Sequence, residues 1–119
     1  MAQIQNVDLK VVGVTFKNED TGRSRSEIIR ELISKYGDGK GVVGTNEISI
    51  ELIREPDNKY DTNAIKVLAD GEQIGYLGKE YAAIMAPMMD DCEEFMATIK
   101  EIGEYKNRPY CEITINQLD

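Results

Sequence analysis

Tyr60 and Asp61 stand side by side in the polar segment REPDNKYDTNAIKV, residues 54–67. An ionised carboxylate can accept a hydrogen bond from a ligand hydroxyl, and a phenol ring offers a face on which a planar ligand can stack. The surrounding proline, asparagine and aspartate residues are typical of a turn, because they preset φ or hydrogen-bond their own backbone. A turn alone explains these polar residues, whereas the Tyr60 ring must either pack into the core or face a partner.

The sequence contains few residues of the types that catalyse reactions or bind metal ions. It contains no histidine, and Cys92 and Cys111 lie far apart without a Cys-x-x-Cys spacing, which excludes the usual zinc frameworks and leaves neither thiol a histidine base. The acidic residues around Tyr60 match no EF-hand loop, so a magnesium-dependent nuclease is the weaker hypothesis. We predict a protein with no catalytic residue, metal or cofactor, in which both cysteines are reduced and partly buried.

Length and composition predict one globular domain over residues 1–119. Of the 119 residues, 41% are hydrophobic and 30% are charged, which suffices for a core without disulfides. No apolar run is long enough to cross a bilayer, and the amino terminus lacks the features of an export signal. These observations predict a cytoplasmic protein with no membrane partner.

The net charge of the whole chain, −8, opposes binding to the phosphates of nucleic acid. Its distribution is uneven, since residues 1–79 carry 11 basic and 13 acidic groups while residues 80–119 carry 3 and 9. The first part leaves room for a local positive groove, and the acidic last third or an open sheet edge equally suits docking of a protein. The basic residues available to such a groove are Lys17, Arg23, Arg25, Arg54, Lys59, Lys66 and Lys79.

A first strand is predicted over residues 7–17, VDLKVVGVTFK. This segment is rich in β-branched residues, and Val12, Val14 and Phe16 recur at a period of two, so that they would share one face. Gly13 indicates a bulge or the close approach of another group.

A short amphipathic helix is predicted next. Ser24 and Glu27 have the spacing of a capping box, and an apolar stripe continues until the helix ends at Gly37. The following glycines, as far as Gly44, lack the Gly-Lys-Ser/Thr ending of a P-loop and predict a flexible connector. The stripe consists of Ile28, Ile29, Leu32, Ile33 and Tyr36.

Three strands are predicted to form a meander in the middle of the chain. Residues 46–55, NEISIELIRE, alternate apolar and polar side chains, and residues 64–77, AIKVLADGEQIGYL, contain the hairpin signal Asp70-Gly71. The turn that contains Tyr60 joins the first two of these strands.

One helix and two strands are predicted in the last third. Residues 79–91 have helical spacing, but Pro87 disfavours a helical Ala86 and should end or kink the helix. Residues 94–117 predict two alternating strands joined by the turn GEYKNRP at 103–109. The apolar stripe of the helix, with methionines as core filler, is Tyr81, Ile84, Met85 and Met88.

Five or six short strands with one or two helices predict a fold that is mainly β with short helices. A small sheet of this kind buries one face by curling on itself, which gives a strongly curved sheet or a partly open barrel.

The spaced motifs resemble the HIRAN domain, a module fused to helicase-like DNA translocases and also found alone in bacteria and phages. VVGVTF precedes RE-PDN-x-YD-x-NAIKV, which is followed by an Asp-Gly hairpin and QIGYL-x-KE-x-A, a pattern that covers residues 10–90. The resemblance implies a stand-alone OB-like or SH3-like barrel that binds the 3′ end of single-stranded DNA through its terminal hydroxyl, with replication or repair proteins as partners. A protein-interaction or scaffold domain without DNA binding is the alternative.

The resemblance also implies a set of site residues. The turn motif, the aromatic position after VVG and the G-x-L element supply them, and the neighbouring lysines would pair with phosphates. Thr15 departs from the basic residue that known DNA-end binders carry there, and the connection over residues 18–45 is longer than usual. The implied nucleic-acid-binding residues are Phe16, Asn58, Lys59, Tyr60, Asp61, Tyr76 and Lys79.

Overall fold

The structure is a computed structural model that describes residues 4–37 and 41–118. The connector predicted between Gly37 and Gly44 therefore lies partly outside the described residues. Within those two ranges the elements are β1 (Val7–Val12), α1 (Arg25–Tyr36), β2 (Gly41–Val43), β3 (Ile50–Arg54), β4 (Ile65–Ala69), β5 (Glu72–Leu77), α2 (Lys79–Asp90), β6 (Phe95–Tyr105) and β7 (Arg108–Gln117).

The strands form one antiparallel sheet in the order β2-β6-β7-β1-β5-β4-β3. Strands β3 and β6 are not paired, yet Cα atoms of the two come within 8 Å of each other, so the sheet curls towards closure. The prediction of a mainly β, partly open barrel with short helices is confirmed. In the described part of the chain the sheet has seven strands instead of five or six because Gly41–Val43, in the glycine-rich connector, pairs with β6.

Helix α1 packs against β5, β6 and β7 and closes the apolar core. The Ser24 hydroxyl accepts the Glu27 backbone N–H at 3.3 Å, and the Gly37 N–H donates to the Ile33 carbonyl at 2.9 Å, so both predicted ends are confirmed. Neither helix in the described part of the chain has the length and apolarity needed to cross a bilayer. Fully buried side chains of this core include Ile28, Ile29, Ile65, Ile74, Met85, Ile102, Cys111, Ile113 and Ile115.

Both predicted hairpin turns are confirmed. Asp70 and Gly71 have φ of 49° and 85° between β4 and β5, and Lys106 and Asn107 have φ of 50° and 64° between β6 and β7. Two consecutive residues with positive φ are characteristic of the type I′ turn, whose twist matches that of paired strands.

Strand β1 is shorter than predicted, and Val12 lies on its exposed face. It ends at Val12, and Val11 is 4% exposed, whereas Val12 and Phe16 are 44% and 66% exposed. Val14 and Phe16 lie beyond the strand, so the predicted period of two does not continue past Val12. Gly13, with φ of +72°, turns the chain out of the strand, and the Phe16 N–H donates to the Gly13 carbonyl at 3.3 Å.

Helix α2 continues through Pro87 to Asp90, so of the two predicted effects of this proline, an end or a kink, the end was wrong. Ala86 and Met85 are fully buried, and their packing holds the last turn although the proline supplies no N–H donor. The predicted stripe was also wrong at Ile84, which is 55% exposed, because the buried side of the helix includes two alanines that the stripe left out. The side chains that it buries are Ala82, Met85 and Ala86.

Candidate nucleic-acid interface

A cleft with a volume of about 1000 Å³ lies between the segment that follows β1, the β3–β4 loop and strand β5. The sheet order brings these three segments together, since β1 pairs with β5 and β5 pairs with β4. All the residues that the sequence implied for nucleic-acid binding line this cleft, namely Phe16, Asn58, Lys59, Tyr60, Asp61, Tyr76 and Lys79.

The β3–β4 loop is organised by Asn58. Its Oδ1 accepts the backbone N–H groups of Tyr60 at 2.9 Å and of Asp61 at 3.0 Å. Asp61 repeats the arrangement, because its Oδ1 accepts the Asn63 N–H at 2.9 Å. Within the described residues the second carboxylate oxygen of Asp61, Oδ2, accepts no hydrogen bond from the protein, so a ligand hydroxyl can use it.

Two aromatic rings at the cleft are open to solvent. Tyr60 is 87% exposed at the tip of the β3–β4 loop, and Phe16 is 66% exposed on the segment after β1. The Phe16 carbonyl accepts the Arg25 backbone N–H at 3.1 Å, which fixes the chain behind that ring. Core packing is therefore excluded for Tyr60 and Phe16, and both rings are free to stack on a planar ligand.

Tyr76, unlike Tyr60 and Phe16, is fixed by a network of hydrogen bonds within the cleft. Its hydroxyl donates to Glu55 Oε1 at 2.7 Å, and Asn58 Nδ2 donates to the same oxygen at 3.0 Å. Partial burial alone would raise the pKa of Glu55, but the hydrogen bonds from Tyr76 and Asn58 and the nearby charges of Lys66 and Arg25 lower this pKa overall. The Glu55 carboxylate is thus ionised at neutral pH.

Arg25 connects the two sides of the cleft. Its guanidinium carbon lies 5.3 Å from the centroid of the Tyr76 ring, and its Nη1 donates to the Gly13 carbonyl at 2.9 Å. Asn18 accepts from Arg25 Nε at 2.7 Å and donates to the Gln73 carbonyl at 2.9 Å. Arg25 and Asn18 are 7% and 3% exposed. The Arg25 guanidinium therefore stabilises the walls of the cleft and is not available to bind a ligand phosphate.

The lining of the cleft is mixed in charge. Six basic and five acidic residues line it, which gives a local net charge of +1 against −8 for the whole chain. Arg54 is paired with Asp90 at 3.0 Å, and Arg23 lies outside the lining in pairs with Glu31 and Glu72. Over residues 4–37 and 41–118, the exposed lining cations with no acidic group within salt-bridge distance are Lys17, Lys59 and Lys79.

The described residues hold no cluster of three or more acidic or cysteine side chains that could bind a metal ion. Both cysteines are free thiols. Cys111 is buried, which raises its pKa to about 12, whereas Cys92 is exposed instead of partly buried as predicted.

Comparison with known proteins places these features in a family context. A model of the HIRAN domain matches residues 5–116. The helicase-like transcription factor of Oryctolagus cuniculus is 56% identical over 52 residues, which cover 43% of this chain and 5% of that protein. A Fanconi-associated nuclease 1 homologue of Arabidopsis thaliana is 42% identical over 55 residues, which cover 44% of this chain and 6% of that protein. The chain thus spans about one twentieth of the length of these relatives.

Solved structures agree with the family match. The crystal structure of the HIRAN domain of human HLTF superposes with a TM-score of 0.55 at 25% identity, over 96% of this chain and 78% of that one. A protein from Lactobacillus plantarum superposes with a TM-score of 0.64 at 19% identity, over 98% of this chain and 95% of that one. The latter similarity concerns the fold alone.

Proposed function

Because the chain belongs to the HIRAN domain family, we propose that it is a DNA-binding module whose cleft receives the 3′ end of single-stranded DNA. The observation that carries this proposal is the 87% exposure of the Tyr60 ring next to Asp61, in a cleft lined by every implied site residue. Residues 1–119 would form a single domain that acts in the cytoplasm with replication or repair proteins and without a membrane partner.

Asp61 supplies the selectivity for an end. A terminal 3′-hydroxyl can donate to Asp61 Oδ2, and a hydrogen bond with one charged partner contributes about 1.5–3 kcal/mol. A continuing strand would bring a phosphodiester against this carboxylate, and repulsion of like charges in a half-buried cleft would reject it. One side chain therefore favours ends and disfavours internal nucleotides.

The exposed rings and the free lysines supply affinity without sequence preference. Stacking of a base on Tyr60 or Phe16 is worth roughly 1–3 kcal/mol for each base. Tyr76 has one ring face under Arg25, so it contributes its remaining surface and holds the loop through Glu55. Lys59 and Lys79, with Lys17 beside them, would pair with phosphates.

We propose that the chain itself catalyses no reaction. The matched relatives include a nuclease homologue and a helicase-like protein, but the match covers 5–6% of their length and their activities are not transferred to this chain.

Docking of a protein is a second candidate, and edge strand β2 favours it. Among the described residues β2 lies at one end of the sheet order, so one side of its backbone pairs with no strand and could accept an added strand; Val43 on β2 is 77% exposed. Binding of this kind would not depend on a nucleic-acid end.

The test is a titration of 5′-labelled single strands that end in a 3′-hydroxyl or a 3′-phosphate, followed by fluorescence anisotropy. We expect the hydroxyl end to bind at least about tenfold more tightly, as a charged hydrogen bond implies. Equal affinity for the two ends would reject Asp61 as the selective group.

The variant Asp61→Asn tests directly whether the Asp61 carboxylate distinguishes the two ends. The asparagine oxygen can still accept the Asn63 N–H, while its NH₂ group replaces the acceptor Oδ2 and removes the charge. We expect weaker binding of the hydroxyl end, stronger binding of the phosphate end and an unchanged fold. Asp91→Asn, on an exposed residue outside the cleft lining, is the matched control and should leave both affinities unchanged.

A further inference from the structure

Glu55 lines the cleft and uses one carboxylate oxygen to accept from two donors. Tyr76 and Asn58 both donate to Oε1, at 2.7 Å and 3.0 Å. The other oxygen, Oε2, is 3.7 Å from Lys66 Nζ, in a pair of which both side chains are about three quarters buried. Tyr76 lies 21 residues from Glu55 in sequence, so this carboxylate joins strand β5 to the β3–β4 loop.

The orientation of the Asn58 side-chain amide depends mainly on this acceptor, because the Tyr76 hydroxyl oxygen, which Nδ2 also reaches, lies farther away at 3.5 Å. The amide has a donor side and an acceptor side, and it can place only one of them against the loop backbone. With Nδ2 bound to Glu55, Oδ1 faces the N–H groups of Tyr60 and Asp61. If Nδ2 faced these groups instead, donors would oppose donors, and the loop would lose both bonds.

We infer that Glu55 is a positioning residue, which fixes the Asn58 amide and thereby the loop that presents Tyr60 and Asp61 to the DNA end. The effect on DNA binding rests on the proposed function, whereas the effect on the loop does not. The opposing explanation is that the Glu55 carboxylate, which lines the same cleft, acts directly by repelling phosphate.

Two substitutions separate these roles. Glu55→Gln keeps a carbonyl oxygen that can accept from both Tyr76 and Asn58 but removes the charge. Glu55→Leu removes the acceptor at similar size, and Glu55→Ala serves the same purpose if leucine does not fit. A positioning role requires the acceptor and not the charge, so Gln should preserve it and Leu should not.

The first measurement is amide hydrogen exchange by NMR on the protein without DNA. In Glu55→Leu we expect the amides of Tyr60 and Asp61 to exchange about fivefold faster or more, and in Glu55→Gln within about twofold of wild type. The Ser49 amide, which donates to Asp70 in another loop, is the internal control. Unchanged exchange in Glu55→Leu, or equally fast exchange in both variants, would overturn the inference.

The second measurement is affinity for strands ending in a 3′-hydroxyl or a 3′-phosphate. We expect Glu55→Leu to weaken binding of the hydroxyl end by about tenfold, as loss of an ordered loop implies, and Glu55→Gln to keep the preference for that end. A preference relaxed by Glu55→Gln would instead make Glu55 a direct determinant. Absence of DNA binding by the wild type would reject the proposed function, while the exchange rates would still decide the role of Glu55.

Discussion

At the scale of single residues, the cleft presents its aromatic side chains in two ways. Tyr60 and Phe16 stand in solvent, where they stabilise the fold little, whereas Tyr76 is anchored by Glu55 and covered by Arg25. The fold therefore leaves the first two rings available and uses the third to keep the loop in place.

This difference predicts the effect of Tyr60→Ala. Loss of one stacking partner, worth roughly 1–3 kcal/mol, should weaken binding of single-stranded DNA by about 5- to 150-fold. The free energy of unfolding should change by less than about 0.5 kcal/mol because the ring is exposed. Anisotropy titration and chemical denaturation measure the two quantities.

Tyr105→Ala is the matched control for this substitution. Tyr105 is 68% exposed on the β6–β7 hairpin and lies outside the cleft lining. Equal losses of affinity in the two variants would show that Tyr60 has no special role, and a large loss of stability in Tyr60→Ala would show that the ring supports the fold.

At the scale of the elements, the cleft depends on the close approach of β5 to β1. A β-carbon at Gly75 would overlap the Val12 carbonyl oxygen and press on the Val11 side chain. Gly75→Ala should therefore destabilise the protein by about 1–3 kcal/mol, as overpacking does. Gly78→Ala, which has no heavy atom within 4 Å of the added carbon, should cost less than about 1 kcal/mol. Equal stability of the two variants in urea would contradict this account of the strand pairing.

Elements whose signals are local were predictable from sequence, and elements decided by packing were not. The Ser24 cap and the Asp70-Gly71 turn depend on a few adjacent residues, and both are confirmed. Strand β2 and the passage of α2 through Pro87 depend on pairing with β6 and on burial of Ala86, which no local pattern encodes.

The same distinction applies to the candidate site. Asn58, Tyr60 and Asp61 belong to one short motif and were predictable together. Arg25 and Glu55 act through partners on other elements, so sequence reasoning could offer Arg25 only as a surface cation. Their roles depend on three-dimensional orientation, namely a guanidinium over the Tyr76 ring and a carboxylate oxygen shared by two donors.

At the scale of the whole molecule, a negative net charge is compatible with DNA binding because dissolved salt screens charges that lie far from the cleft. The Debye length is about 8 Å at physiological ionic strength, so most of the net charge of −8 is screened from the cleft. Under the proposed function, the local balance of +1 and the three free lysines of the lining would then govern the interaction with phosphates.

The number of free lysines predicts the salt dependence of binding. For single strands log Kobs falls with log salt concentration with a slope of about −0.7 for each neutralised phosphate, so contacts from Lys17, Lys59 and Lys79 give a slope of about −2. Lys79→Ala should make this slope shallower by about 0.7, whereas Lys10→Ala, on an exposed residue of β1 outside the lining, should leave it unchanged. A slope of about −5 or steeper for the wild type would mean that phosphates are bound well beyond the cleft. A slope near zero would mean that these lysines neutralise no phosphate, and either result would contradict a compact site for the DNA end.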